Sequence, residues 1–211
     1  MDCLDFDALR AAPVSTDPFP HILLERFIRP AALAGVIGDL PPMKGRGSFP
    51  IEALRLGPKA RAAMAGLEGD EFRNIVAEKF GLDLQNAPHM ITLRGNSGAQ
   101  DGRIHTDSSA KRVTILLYLN KADGAAWARQ DGCLRLLRGP DDLEDYAREV
   151  PPVDGTLLVF PNGPTTWHGH KTHIGPRYVL QMNYMTTSAK AKAEMRRHHL
   201  SAFIKRLTGA A

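Results

Sequence analysis

His105-Thr106-Asp107, continued by Ser108-Ser109-Ala110-Lys111-Arg112-Val113-Thr114-Ile115-Leu116-Leu117-Tyr118-Leu119-Asn120, decides how this chain is read. In an extended backbone successive side chains point to opposite faces, so His105 and Asp107 share a face and Thr106 turns away. Alone the pair is a weak signal, because such a tripeptide is more often a polar turn than a metal site. The residues after it strengthen the reading. Arg112 to Leu119 is an apolar run that reads as a buried strand, which sets the pair at the mouth of a sheet. Val113, Ile115, Leu117 and Leu119 form one apolar face for covering helices, leaving Thr114, Leu116 and Tyr118 to face an interior.

Working outward, the region from Pro88 onward reads as short strands separated by turn signals. The predicted strands are His89 to Arg94, Arg103 to Asp107, Arg112 to Leu119, Leu134 to Arg138, Thr156 to Phe160, Thr166 to His170 and Arg177 to Met185. Gly95 to Gly102 is a polar loop, Lys121 to Gly132 a longer connection, and Gly139 to Asp154 another, with a helical turn expected near Leu143 to Arg148. Ahead of Pro88, the opening to Phe19 is expected to be irregular and His21 to Leu24 a short strand. Helices are expected from Pro30 to Asp39, with proline in the first turn, from Gly57 to Leu67, and from Asp70, read as a cap, to Gly81. Seven or eight short strands after a helical block fit a double-sheet jelly roll. The expected class is α+β, mainly β: a double-stranded β-helix core over 88–187, backed by helices within 1–87 and followed by a basic helix over 188–211, all one structural domain.

At 211 residues the chain is long enough to bury a sizeable core. No apolar run approaches the ~20 residues of a membrane span, and the acidic opening argues against a secretory or transit segment. Cys3 and Cys133 suggest neither a disulfide framework nor a zinc site, so a cytoplasmic protein with two reduced thiols is expected. The net charge of +4 is mild. Much of the excess lies in the last two dozen residues, where Leu200, Phe203, Ile204 and Leu207 give a solvated helix an apolar side to dock.

The second half of a site lies in Trp167-His168-Gly169-His170-Lys171-Thr172-His173-Ile174-Gly175-Pro176-Arg177-Tyr178-Val179-Leu180-Gln181-Met182-Asn183-Tyr184. This run resembles the second signature of the Fe(II)- and 2-oxoglutarate-dependent dioxygenases, specifically the prolyl-4-hydroxylase-like group. There H-x-D is followed by a distal histidine and, about ten residues later, by Arg or Lys. Thr114 to Asn120 matches the group's T-x-x-x-Y-L-N, and Gly132-Cys133-Leu134-Arg135-Leu136-Leu137 its G-G-x-L-R-L segment, with Asp131 where the first glycine usually stands. The close resemblance spans roughly residues 88–187.

The resemblance implies a 2-His-1-carboxylate face holding Fe(II) with positions left open for 2-oxoglutarate and O2. His105 and Asp107 are the first two ligands. His168 and His170 alternate onto one face, and both could look inward. His168 stands nine residues before Arg177, the separation the group favours, and His170 seven, so His168 is the expected third ligand. Arg177 is assigned to the far carboxylate of 2-oxoglutarate, because a guanidinium grips a carboxylate through two parallel hydrogen bonds. Tyr118, Thr114 and Gln181 are expected beside the same cosubstrate. Asp107, rather than Ala or Gly, points to hydroxylation over halogenation.

The implied enzyme is therefore a hydroxylase of a peptidyl residue, proline being the group's habitual target, or of a small metabolite, releasing succinate and CO2, with ascorbate as an optional reductant. The alternative is a non-catalytic jelly-roll module that binds a metal or sugar. Nucleic acid is not an expected partner, because the R-x-N-x-x-x-x-x-R tail of the nucleic-acid-repair dioxygenases is missing. Nor is a membrane.

Overall fold

A computed structural model describes residues 3–43, 45–122, 127 and 131–208, and the side chains of these except His199 and 201–208. The chain opens with α1 (Phe6–Ala11), β1 (Ile22–Leu24), α2 (Pro30–Gly38) and β2 (Phe49–Pro50). A single 3-10 turn, Ile51–Ala53, leads into α3 (Pro58–Glu68) and α4 (Asp70–Phe80). Seven strands follow: β3 (His89–Ser97), β4 (Lys111–Tyr118), β5 (Leu134–Leu137), β6 (Tyr146–Val150), β7 (Leu157–Pro161), β8 (His168–His170) and β9 (Gly175–Met185). Helix α5 (Ala189–Thr208) comes last.

The strands form two sheets, of order β1-β7-β4-β9-β3-β2 and β6-β5-β8, with every strand pair antiparallel. The architecture is an α+β jelly roll. Strand β4 shows why the helices are where they are. Val113, Ile115 and Leu117, with Leu119 just beyond, are almost fully buried in one cluster with Phe27, Val36, Leu67, Phe72 and Val76 from the helical side. Leu116 and Tyr118 turn the other way and join Leu134, Leu136, Leu158, Phe160 and Val179 between the sheets. A two-residue period thus separates a helix-packed core from an inter-sheet core, and the second lines the site.

The opening is irregular from Ala12 to Phe19 but helical before it, over Phe6–Ala11. Asp5 Oδ1 accepts from the Ala8 amide at 3.0 Å, and Phe6 and Leu9 are buried, so α1 forms on a capped, half-apolar turn. Asp70 is not a cap: Gly69 occupies that position and Asp70 lies in the first turn of α4, ion-paired with Arg73. Gly81 does end α4, in the left-handed conformation at φ 63°. The helical turn expected near Leu143 to Arg148 is absent, because Tyr146–Val150 pairs with β5, Leu134 opposite Val150 and Leu137 opposite Tyr146. Arg103 to Asp107 is not a strand either; it touches the smaller sheet only through an isolated bridge between His105 and His168. Among the described side chains of α5, Ala191 and His198 are buried. Ala191 is buried beside Ala110 and Met185, whereas Leu200 is 60 % exposed. The expected apolar positions Phe203, Ile204 and Leu207 lie outside the described side chains. Among the described residues no helix is long and apolar enough to cross a membrane, and Cys3 and Cys133 are unbridged.

Candidate functional site

His105, Asp107 and His168 meet at the open end of the inter-sheet space, each offering a ligand atom within 4.8 Å of the other two. What joins them is a single antiparallel rung. The His105 amide donates to the His168 carbonyl and the His168 amide to the His105 carbonyl, both at 3.0 Å, and the imidazoles lie 4.4 Å apart. His168, not His170, is therefore the histidine that joins the pair.

The ring orientations are chemically determined. His105 Nδ1 lies 2.8 Å from the Arg103 carbonyl, and His168 Nδ1 2.9 Å from the Thr166 carbonyl. A carbonyl only accepts, so each Nδ1 carries the hydrogen, and Nε2 is left as the lone-pair donor a metal needs. Burial, then the neighbouring His105, push His168 down to about 4, keeping its ring neutral near neutral pH. Asp107 is only 8 % exposed at its side chain. Burial alone would raise its pKa, but the ammonium of Lys111, His168 and the Thr114 hydroxyl hold it below the usual carboxylate range. Lys111 Nζ donates to Oδ1 at 2.6 Å and Thr114 Oγ1 to Oδ2 at 2.5 Å. Each oxygen still has a lone pair for a cation.

The cavity runs inward from this cluster between Leu116, Tyr118, Leu134 and Val179 to Arg177. Arg177 is 5 % exposed, and its Nε donates to the Gly132 carbonyl at 2.9 Å. Its guanidinium lies 5.6 Å from the centre of the Tyr118 ring. Among the described residues no carboxylate pairs with it, and burial lowers its pKa. Burial likewise raises the Tyr118 phenol to about 12. Arg177 lies near enough to bias that ionisation, yet the Tyr118 hydroxyl is buried and meets no partner in hydrogen-bond geometry. A buried cation without a counter-charge beside an orphaned hydroxyl is costly unless an anion enters. These groups fit the distal carboxylate of 2-oxoglutarate, and the Nε2, Nε2 and carboxylate set fits Fe(II).

The remaining expected residues fall into place differently. Gln181 lines the cavity opposite Thr92 in β3. Thr114 lines it too, but its hydroxyl is engaged by Asp107 and Asn183 rather than free for a cosubstrate. His170 sits at the rim, its Nδ1 2.8 Å from the Lys171 carbonyl, and Gly102 crosses directly beneath it. Asp131 needs no glycine. The positive φ of 79° belongs to Gly132, whose carbonyl anchors Arg177. Trp167 is not among the cavity residues. Ser48, Thr92 and Arg94 complete the rim, and none was singled out from sequence. Arg94 is held by Asp101 at 2.7 Å, a pairing across seven residues that only the bulge at Arg94/Asn96 and the loop after it create.

Comparison with known proteins agrees with this geometry. Residues 92–185 match the family model of the 2OG-Fe(II) oxygenase superfamily, a segment that carries all three clustered residues and Arg177. No curated protein matches the chain by sequence. Among solved structures, a Pseudomonas putida prolyl-4-hydroxylase is similar at TM-score 0.55 and 20% identity, over 86% of this chain and 97% of that one. A Phytophthora capsici prolyl 4-hydroxylase gives 0.57 and 15%, over 96% and 78%. A viral collagen prolyl hydroxylase from Paramecium Bursaria Chlorella virus-1 gives 0.53 and 14%, over 83% and 95%. With a His-Asp-His cluster at one end of an inter-sheet cavity and a buried arginine without a counter-charge among the described residues at the other, this chain is similar over residues 92–185 to the 2OG-Fe(II) oxygenase superfamily and has the fold of the prolyl-4-hydroxylases.

Proposed function

We propose that the chain hydroxylates a C–H bond of a peptidyl residue, proline foremost, or of a small metabolite. His105, Asp107 and His168 would hold Fe(II), and Arg177 with Tyr118 would take the distal carboxylate of 2-oxoglutarate. Bound together, Fe(II) and 2-oxoglutarate activate O2 for insertion of one oxygen atom into substrate, the cosubstrate leaving as succinate and CO2. Ascorbate is the proposed reductant that keeps the metal ferrous.

The observation that carries this reading is the buried, unpaired Arg177 in the same cavity as the triad. A jelly roll that merely bound a metal or a sugar would have no use for an uncompensated guanidinium at that depth. The protein's own part follows from its side chains. Thr114 and Lys111 hold the Asp107 carboxylate ionised and aimed, the Arg103 and Thr166 carbonyls fix both imidazole rings, and Leu116, Leu134 and Val179 keep the cosubstrate channel dry. Ser48, Thr92, Arg94, His170 and Gln181 then form the polar rim met by the incoming substrate.

Anaerobic thermal denaturation with Mn(II), with and without 2-oxoglutarate, tests the cosubstrate half. Metal should enhance the stabilisation by 2-oxoglutarate, and equal shifts with and without metal would refute joint binding. Succinate release in the presence of proline-bearing peptides against free amino acids then assigns the substrate class.

A further inference from the structure

Resting on the metal-centre reading above, we propose that Asn162 is the positioning residue that fixes the two halves of the triad relative to each other. It follows β7, is not among the cavity residues, and its side chain hydrogen-bonds to none of the three ligating side chains. Its amide nitrogen faces three backbone carbonyls of the turn that carries Asp107: Ser108 at 2.8 Å, and Asp107 and Lys111 at 3.3 Å each. Three converging acceptors demand a donor, so the orientation of the amide is set by chemistry. That turn is closed by the Lys111 amide on the Ser108 carbonyl at 2.9 Å, and the Asn162 main-chain amide ties it to β4 through the Arg112 carbonyl at 2.8 Å.

The other end of the same side chain reaches the second half of the site. Asn162 Oδ1 is 3.3 Å from the Thr166 hydroxyl, which also meets the Gly163 carbonyl at 2.9 Å and the Gly163 amide at 3.2 Å. The Thr166 carbonyl accepts from His168 Nδ1. One planar amide thus links the Asp107 turn to the turn that aims His168, across an inter-sheet space where those ligands share only the single rung at His105. Residues acting on ligands at one remove commonly shift metal affinity ~10–100-fold when lost.

The test uses the whole protein, with Mn(II) affinity measured by the electron paramagnetic resonance of free Mn(II), and the visible absorption of the Co(II)-loaded form as a geometric readout. Asn162→Ala should weaken Mn(II) binding ~10–100-fold and alter the Co(II) bands. Asn162→Asp, which keeps the shape but turns an oxygen towards the three carbonyls, should do the same. Asn120→Ala is the control for structural loss. Its amide donates to the backbone carbonyls of Pro152 and Tyr178, away from the triad, and Mn(II) affinity should stay within about twofold. Thr166→Val approaches the link from the other side without touching Asn162. The Asn162→Ala/Thr166→Val double variant should lose less affinity than the product of the single losses, because both break one link. Wild-type affinity and unchanged Co(II) bands in the Asn162 variants, or fully multiplicative losses in the double variant, would overturn the proposal. No Mn(II) binding by the wild-type protein would instead overturn the metal-centre reading, and this inference with it.

Discussion

Arg177→Met separates stability from function with opposite signs. In the wild-type protein the guanidinium is 5 % exposed, makes one bond to the Gly132 carbonyl and has no counter-charge among the described residues. Replacing a buried ion pair by apolar side chains is often stabilising by about 1–4 kcal/mol, and a buried charge without a partner is no cheaper to keep, against which the lost hydrogen bond costs about 1 kcal/mol. The ligand-free variant should therefore gain about 1 kcal/mol, which for a chain of this size raises Tm by about 2–4 °C. Cosubstrate binding should move the other way. A charge-assisted contact contributes about 1.5–3 kcal/mol, and a loss at the upper end weakens 2-oxoglutarate about 100-fold. With Mn(II) present and 2-oxoglutarate at about 100 times the wild-type Kd, the wild-type protein gains about 2.7 kcal/mol, or about 5–11 °C. The variant, then sitting near its own Kd, gains about 0.4 kcal/mol, or 1–2 °C. Differential scanning fluorimetry reads both numbers in one plate. A variant with a lowered ligand-free Tm and a full 2-oxoglutarate shift would show that Arg177 is a structural tie to Gly132 and Tyr118, and would remove it from the cosubstrate site.

His168→Ala should lose iron, whereas His170→Ala should retain it at wild-type stoichiometry even if turnover drops ~10–100-fold; metal analysis of the purified proteins decides, and the reverse pattern would exchange their roles. Thr114→Val removes the hydroxyl that donates to Asp107 Oδ2, so the metal Kd should rise about tenfold, while an effect confined to 2-oxoglutarate affinity would return Thr114 to the cosubstrate. His21 is 1 % exposed with Nε2 unpaired, and burial lowers its pKa, so the unfolded chain binds its proton first. Its contribution to stability is then present above an ordinary histidine pKa and lost as pH falls below it, and His21→Phe should flatten that acid limb in equilibrium denaturation titrations. An unchanged slope would contradict this account.

How much of this was legible in the sequence follows from the range of the forces involved. The alternation along Val113 to Tyr118 assigned one face to helices and one to an interior, because a strand's period of two is a local property that survives any register. The order His105, Asp107, His168, Arg177 was legible only through its resemblance to the dioxygenase signatures, and the structure brings these four residues to one cavity. Composition could not show that Tyr146–Val150 is a strand. That segment is extended only because Leu134–Leu137 offers it an edge, a pairing that no local propensity encodes. Nor could it choose between His168 and His170 on residue chemistry alone: both are buried neutral imidazoles two positions apart, and one backbone rung to His105 makes the choice. Thr114 was visible, but its partner was not, because the carboxylate it holds is seven residues away along a chain that turns at Ser108–Lys111. Arg94 and Asn162 were silent for the same reason. An arginine or an asparagine is ordinary in a strand end or a turn, and each acquires a role only where tertiary packing brings a second strand or a second turn within hydrogen-bond reach.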